Sequence, residues 1–99
     1  MLYMISYDLI NEDDEREGQS YQDLYNTIDD LGDCCRCTES TWIVETDLSL
    51  SDVTEEIRQS IDENDKVVIA DITYGDIAGR LPKTTKEWIR ARGESYRPF

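Results

Sequence analysis

Residues 34–46 read CCRCTESTWIVET, and this stretch decides the fold. Its second half, TWIVET, is dense in β-branched and aromatic side chains, which suit a pleated, half-buried surface. The first half is a shorter run of thiols broken by Arg36. Between them, Thr38 to Ser40 are small and polar and fit a tight turn joining two strands. Side chains alternate along a strand, so Trp42 and Val44 share one face, and Thr41, Ile43 and Glu45 share the other.

Working back from this hairpin, Tyr21, Leu24, Tyr25, Ile28 and Leu31 recur at helical spacing. They predict a helix opened by Ser20 as N-cap, with Asp23 three residues on, and closed by Gly32. Before it lie a charged loop, NEDDEREGQ (11–19), and a first strand from Leu2 to Asp8. Working forward, Ser49 or Ser51 caps a second helix that turns Leu50, Val53, Ile57 and Ile61 to the core. Asp62 to Asp65 form a turn. KVVIADITY (66–74) is then a fourth strand, apolar enough for the centre of a sheet.

The order is β-α-β-β-α-β. It predicts an α+β, ferredoxin-like core over residues 1–74, an antiparallel sheet with two helices on one face. Residues 75–99 form a basic C-terminal extension, punctuated by Gly75, Gly79 and Pro82. Within it, Thr84 and Glu87 fit a capping box for a short helix, KEWIRAR, ended by Gly93. Trp88 and Ile89 need burial, on the chain's own sheet or on a partner subunit.

Charge is the loudest feature of the composition. The 99 residues carry a net charge of −13, unevenly placed. Residues 1–65 hold 19 acidic against 3 basic side chains, and residues 66–99 hold 4 against 7. A phosphate backbone is held by a basic surface, so the acidic two thirds oppose nucleic-acid binding and favour partners with basic surfaces. The same acidity fits simple solubility or a saline cytoplasm. The basic residues of the extension, Arg80, Lys83, Lys86, Arg90, Arg92 and Arg97, are best used in pairing with the acidic body of this subunit or another.

Cys34, Cys35 and Cys37 are odd in number and too close to form a disulfide framework. Without histidine they match no standard zinc spacing, so they read as reduced thiols in a strand. No run approaches the ~20 apolar residues of a membrane span, and the N-terminus lacks the basic start of a signal peptide. A cytoplasmic protein is expected.

YMISYDL (3–9), ESTWIVET (39–46) and DENDKVVIADI (62–72) together resemble the small CRISPR-associated adaptation nucleases. Their SinR-like relatives look closer still, and VapD-type toxins lie further off. The resemblance covers residues 2–72. It implies a ferredoxin-like homodimer whose sheets face each other, with Asp8 of each subunit approaching its mate. It also implies Asp8 as a metal ligand, and places Ser40 and Trp42, and Asp65 with Val67 to Ile69, at the positions of the family pattern. Magnesium or manganese held there would activate water for phosphodiester cleavage, giving a metal-dependent endoribonuclease with Asp8 and Ser40 at its site.

Three function classes stand at this point. The favoured one is a non-catalytic acidic binding protein, needing no cofactor, that takes the place of nucleic acid on a basic groove. Glu12, Asp13, Asp14, Glu15, Asp23, Asp29, Asp30, Asp52, Glu55, Glu56 and Glu63 would be presented to the partner. The alternative is the metal-dependent endoribonuclease. The third is a structural spacer, which an exposed Trp42 on a polar face would favour.

Overall fold

The computed structural model describes residues 1–9 and 21–99. Their order is β1 (Leu2–Asp8), α1 (Tyr21–Leu31), β2 (Asp33–Thr38), β3 (Thr41–Glu45), α2 (Leu50–Arg58), β4 (Lys66–Asp71), β5 (Asp76–Gly79), α3 (Lys83–Ala91) and β6 (Ser95–Pro98). The predicted cap Ser20, the charged loop 11–19 and the acidic candidates Glu12, Asp13, Asp14 and Glu15 lie outside the described residues.

The first four strands form one antiparallel sheet in the order β2-β3-β1-β4. The strand predicted for its centre, β4, is therefore an edge. Its apolar run does not need two covered faces. Val67 and Ile69 pack on the helix side, while Val68 on the other side is 56% exposed. Central place goes to β1, where Tyr3, Ile5 and Tyr7 are all buried.

The two faces of the sheet follow from alternation. Tyr3, Ile5, Tyr7 and Val44 pack with Leu24, Ile28 and Leu31 of α1 and with Val53 and Ile57 of α2 in the main core. Leu2 and Ile43 point the opposite way. They meet Ile89 of α3 and Tyr96 of β6, with Cys37, Ile72, Ile77, Leu81 and Trp88 packed around them. Residues 75–99 thus cover part of the second sheet face of the same chain. Their short strands β5 and β6 pair in parallel across α3, an arrangement that four-residue strands did not disclose in the sequence.

Local signals explain most boundaries. Ser49 caps α2, its hydroxyl accepting from the Asp52 amide at 3.1 Å. Leu50, expected in the core, is instead 43% exposed, because it precedes the inward stripe of Val53 and Ile57. Gly32 follows α1 for a reason other than a left-handed cap: a Cβ there would collide with the Glu45 carbonyl oxygen. Gly93 is the true left-handed stop, with φ +77° after α3. The predicted Thr84–Glu87 capping box does not form. Helix α3 begins earlier, at Lys83 after Pro82, and has no side-chain cap. Proline presets a helical entry without a donor to satisfy, so Thr84 falls inside the first turn.

Candidate interaction surfaces

Helices α1 and α2 lie side by side over the main core, joined by a Thr27–Ser60 hydroxyl contact. Burying Leu24 and Ile28 in α1, and Val53 and Ile57 in α2, turns the polar residues outward. Asp23, Asp29, Asp30, Asp52, Glu55 and Glu56 are all exposed on this layer, and Glu63 is exposed in the turn after α2. Among the described residues of the two helices, Arg58 is the single cation, and it is engaged within the layer. Its Nη2 donates to Glu55 at 2.7 Å and its Nε to the same carboxylate at 3.1 Å. That hydrogen bond holds the Glu55 carboxyl below its ordinary pKa.

Asp8 and Ser40, far apart in sequence, lie at the same end of the sheet, but their side chains are not brought into contact. The amide of Tyr7 donates to the Ser40 carbonyl at 3.1 Å, next to Asp8. Asp8 itself is exposed and lies across from Lys66 in the β1–β4 register. Ser6, Asp8, Lys66 and Val68 line a shallow hollow of about 260 Å³ on the part of the second sheet face that the extension leaves open. Asp65, at the start of the same strand, is used locally: its Oδ2 accepts from the Asp62 amide at 2.8 Å. Among the described residues no three cysteine or carboxylate side chains come together as a metal-binding group.

Two constellations escaped the sequence reading. The first is an aromatic cluster at the hairpin end of the main core. Tyr25 packs at 5.5 Å from Trp42 and 5.9 Å from Tyr21. The Arg36 guanidinium lies over Tyr25 and Trp42, at 4.8 and 5.6 Å from their centroids. Its Nε and Nη2 donate inside the cluster, to the Glu39 carbonyl and the Tyr25 hydroxyl. Trp42 donates to the Tyr7 hydroxyl at 3.1 Å, and burial pushes the Tyr7 phenol up to about 12. Trp42 is thus half-buried beneath α1 rather than set on a polar face, which removes the support for a spacer.

The second is a clasp between the extension and the acidic body. Arg92 ends α3, stacks 3.6 Å over the Trp88 ring, pairs with Asp33 and approaches Glu45 at 3.6 Å. Asp33 and Glu45 face each other across β2 and β3, so the hairpin supplies both carboxylates. The signal was available in principle, since pairing of basic tail with acidic body was expected, but which arginine would reach which strand depends on tertiary packing. A groove of about 600 Å³ adjoins the clasp, with Asp30, Asp33, Glu45 and Asp47 in its walls.

The three cysteines are free thiols on opposite sides of β2. Cys34 faces the helices and its thiol donates to Asp29 at 3.6 Å. Burial first, and the Asp29 charge second, push it up to about 11. Cys37 lies under the extension, where burial pushes it up to about 12. Both therefore favour the protonated thiol at neutral pH.

Compared with family models, with curated proteins and with solved structures, the chain gives no match.

Proposed function

We propose that this protein is a non-catalytic binding protein that presents the outer layer of α1 and α2 to a basic protein surface. In this reading its core is ferredoxin-like and the sheet is the rigid support for the layer. The observation that carries it is the exposure of Asp23, Asp29, Asp30, Asp52, Glu55 and Glu56 on one layer whose one described cation, Arg58, is held by Glu55. Such a layer offers carboxylates where a nucleic acid would offer phosphates, and electrostatic complementarity guides it to grooves that bind nucleic acid. The partner class is a nucleic-acid-binding protein, including a defence nuclease.

The test is displacement of a fluorescent DNA or RNA oligonucleotide from a panel of nucleases and repressors with basic grooves. Displacement is expected with at least one member, weakening at least tenfold between 50 and 300 mM salt, values chosen to bracket a Debye length of about 10 Å. Neutralising the six carboxylates together to Asn or Gln should abolish it. Displacement that persists in the neutralised variant, or no displacement across the panel, would defeat the reading.

One observation favours a second reading, the SinR-like endoribonuclease. Asp8 is exposed on the open part of the second sheet face, and in this reading two copies facing each other there would bring their Asp8 carboxylates together. Two such carboxylates repel unless a cation or proton intervenes, and magnesium or manganese would fill that role. RNA cleavage that needs the metal and disappears in Asp8→Ala would establish this reading over the first.

A further inference from the structure

The sheet separates two outer layers of opposite charge. On one side lie the carboxylates of α1 and α2. On the other, α3 buries Thr85 and Ile89 and turns Lys83, Lys86, Glu87 and Arg90 outward. Arg80 and Arg97 are exposed on the same extension. Glu87, the one acidic residue of α3, pairs with Lys83 at 3.8 Å. The chain also shows what its cations accept: Arg92, from this same helix end, is seated on the carboxylates Asp33 and Glu45.

We infer that the partner for the basic face is a second copy of this chain, docked front to back, with the α3 face of one copy on the α1–α2 layer of the next. The inference rests on the reading of that layer as a surface for basic patches, and names one partner that carries such a patch. A contact between two different patches is heterologous. Each added copy leaves one acidic and one basic face at the ends, so assembly continues rather than closing at two.

The net charge of −13 opposes any approach of two copies, which sets a distinctive salt dependence. The molecule measures 40 × 27 × 18 Å. At low ionic strength, near 0.01 M, the Debye length of about 30 Å lets the whole charges repel. Near 0.1 M it falls to about 10 Å, which hides most of that repulsion but leaves patches in contact attractive. At 1 M, with about 3 Å, the patches are screened as well. Association therefore peaks at intermediate salt. Binding to a positively charged partner instead weakens steadily from the lowest salt upward.

Sedimentation velocity over a protein concentration series, at about 0.01, 0.1 and 1 M salt, tests this directly. The weight-average sedimentation coefficient should rise with concentration at the middle salt, past the value of a dimer, and stay flat at the two extremes. Two variants refine it. One neutralises the basic face (K83Q/R90Q), the other the acidic layer (D23N/D29N/D30N/E56Q). All these residues are exposed and outside both cores. Each variant alone should remain monomeric, and the two mixed should form a 1:1 complex that grows no further. A monomer at every salt, or a dimer that neither variant disturbs, would overturn the inference. If the wild type stays monomeric yet still displaces an oligonucleotide from a basic-groove protein, self-docking fails and the proposed function stands.

Discussion

The two faces of the sheet are built to different depths. The helix face buries ten described residues in one cluster, from β1, α1, β3, α2 and the segment after β1. The opposite face buries four and relies on an ion-pair clasp and half-buried neighbours to hold its cover. Apolar burial contributes roughly 25 cal/mol per Å², so the helix face carries most of the stability. The extension should therefore open before the rest of the molecule unfolds. Acidic charge lies over the deep core, and basic charge over the shallow one.

Truncating one buried isoleucine on each side is the strongest way to break this comparison. Ile28→Ala should cost about 2–5 kcal/mol, as a large-to-small change in a fully buried site does, and should lower the urea midpoint of the whole protein. Ile89→Ala removes a side chain that is equally buried, at 0% exposure, but from the smaller core. It should loosen residues 75–99 first. Alkylation followed by mass spectrometry would read this out: in Ile89→Ala the labelling rate of Cys37, under the extension, should rise while that of Cys34, on the helix side, keeps its wild-type value. An equal rise at both thiols would mean that the two faces unfold as one unit.

Arg92→Gln tests the clasp with a smaller expected effect, about 1–2 kcal/mol. Its carboxylate partners, Asp33 and Glu45, are 62% and 47% exposed, so solvent weakens the pairs, while the side chain's stacking on Trp88 is also lost. The loss should appear in proteolytic nicking of the extension rather than in the global midpoint.

The pH response sharpens the comparison by engaging both faces. Tyr7 and Cys34 lie on the helix side, and Cys37 on the other. All three are acids whose folded-state pKa is raised above the ordinary 10.0 for the phenol and 9.0 for the thiols. Their contribution to stability is complete below those ordinary values and declines as pH rises through the folded values of about 11 to 12. Urea midpoints should therefore hold steady to about pH 9 and fall above it, with Cys37→Ala flattening part of the decline.

Periodicity made much of this architecture legible. The bounds of β1, the inward stripe of α1, the Ser49 cap and the hairpin around Ser40 follow from short-range rules that act within a few residues. Beyond that range the reading failed in particular ways. The apolar run of β4 suited a centre or an edge equally, because apolar content reports which faces are covered, as Val68 on the open face shows, while place in the sheet is set by which strands pair. Strands β5 and β6 hold four residues each, too few to show alternation. The exposure of the helix carboxylates follows from simple facing rules. Neighbourhoods such as Asp8 beside Lys66, Arg36 over Trp42 and Arg92 on Asp33 exist only once distant elements pack.

Gly32 gives these two faces a shared point of failure. Its bare α-carbon lets the Glu45 carbonyl settle against the turn that leaves α1, and Glu45 is also one jaw of the grip on Arg92 across the hairpin. A methyl group at position 32 would shove that backbone aside and, with it, the hold on the tail. Damage introduced at the exposed end of α1 would surface on the far side of the molecule.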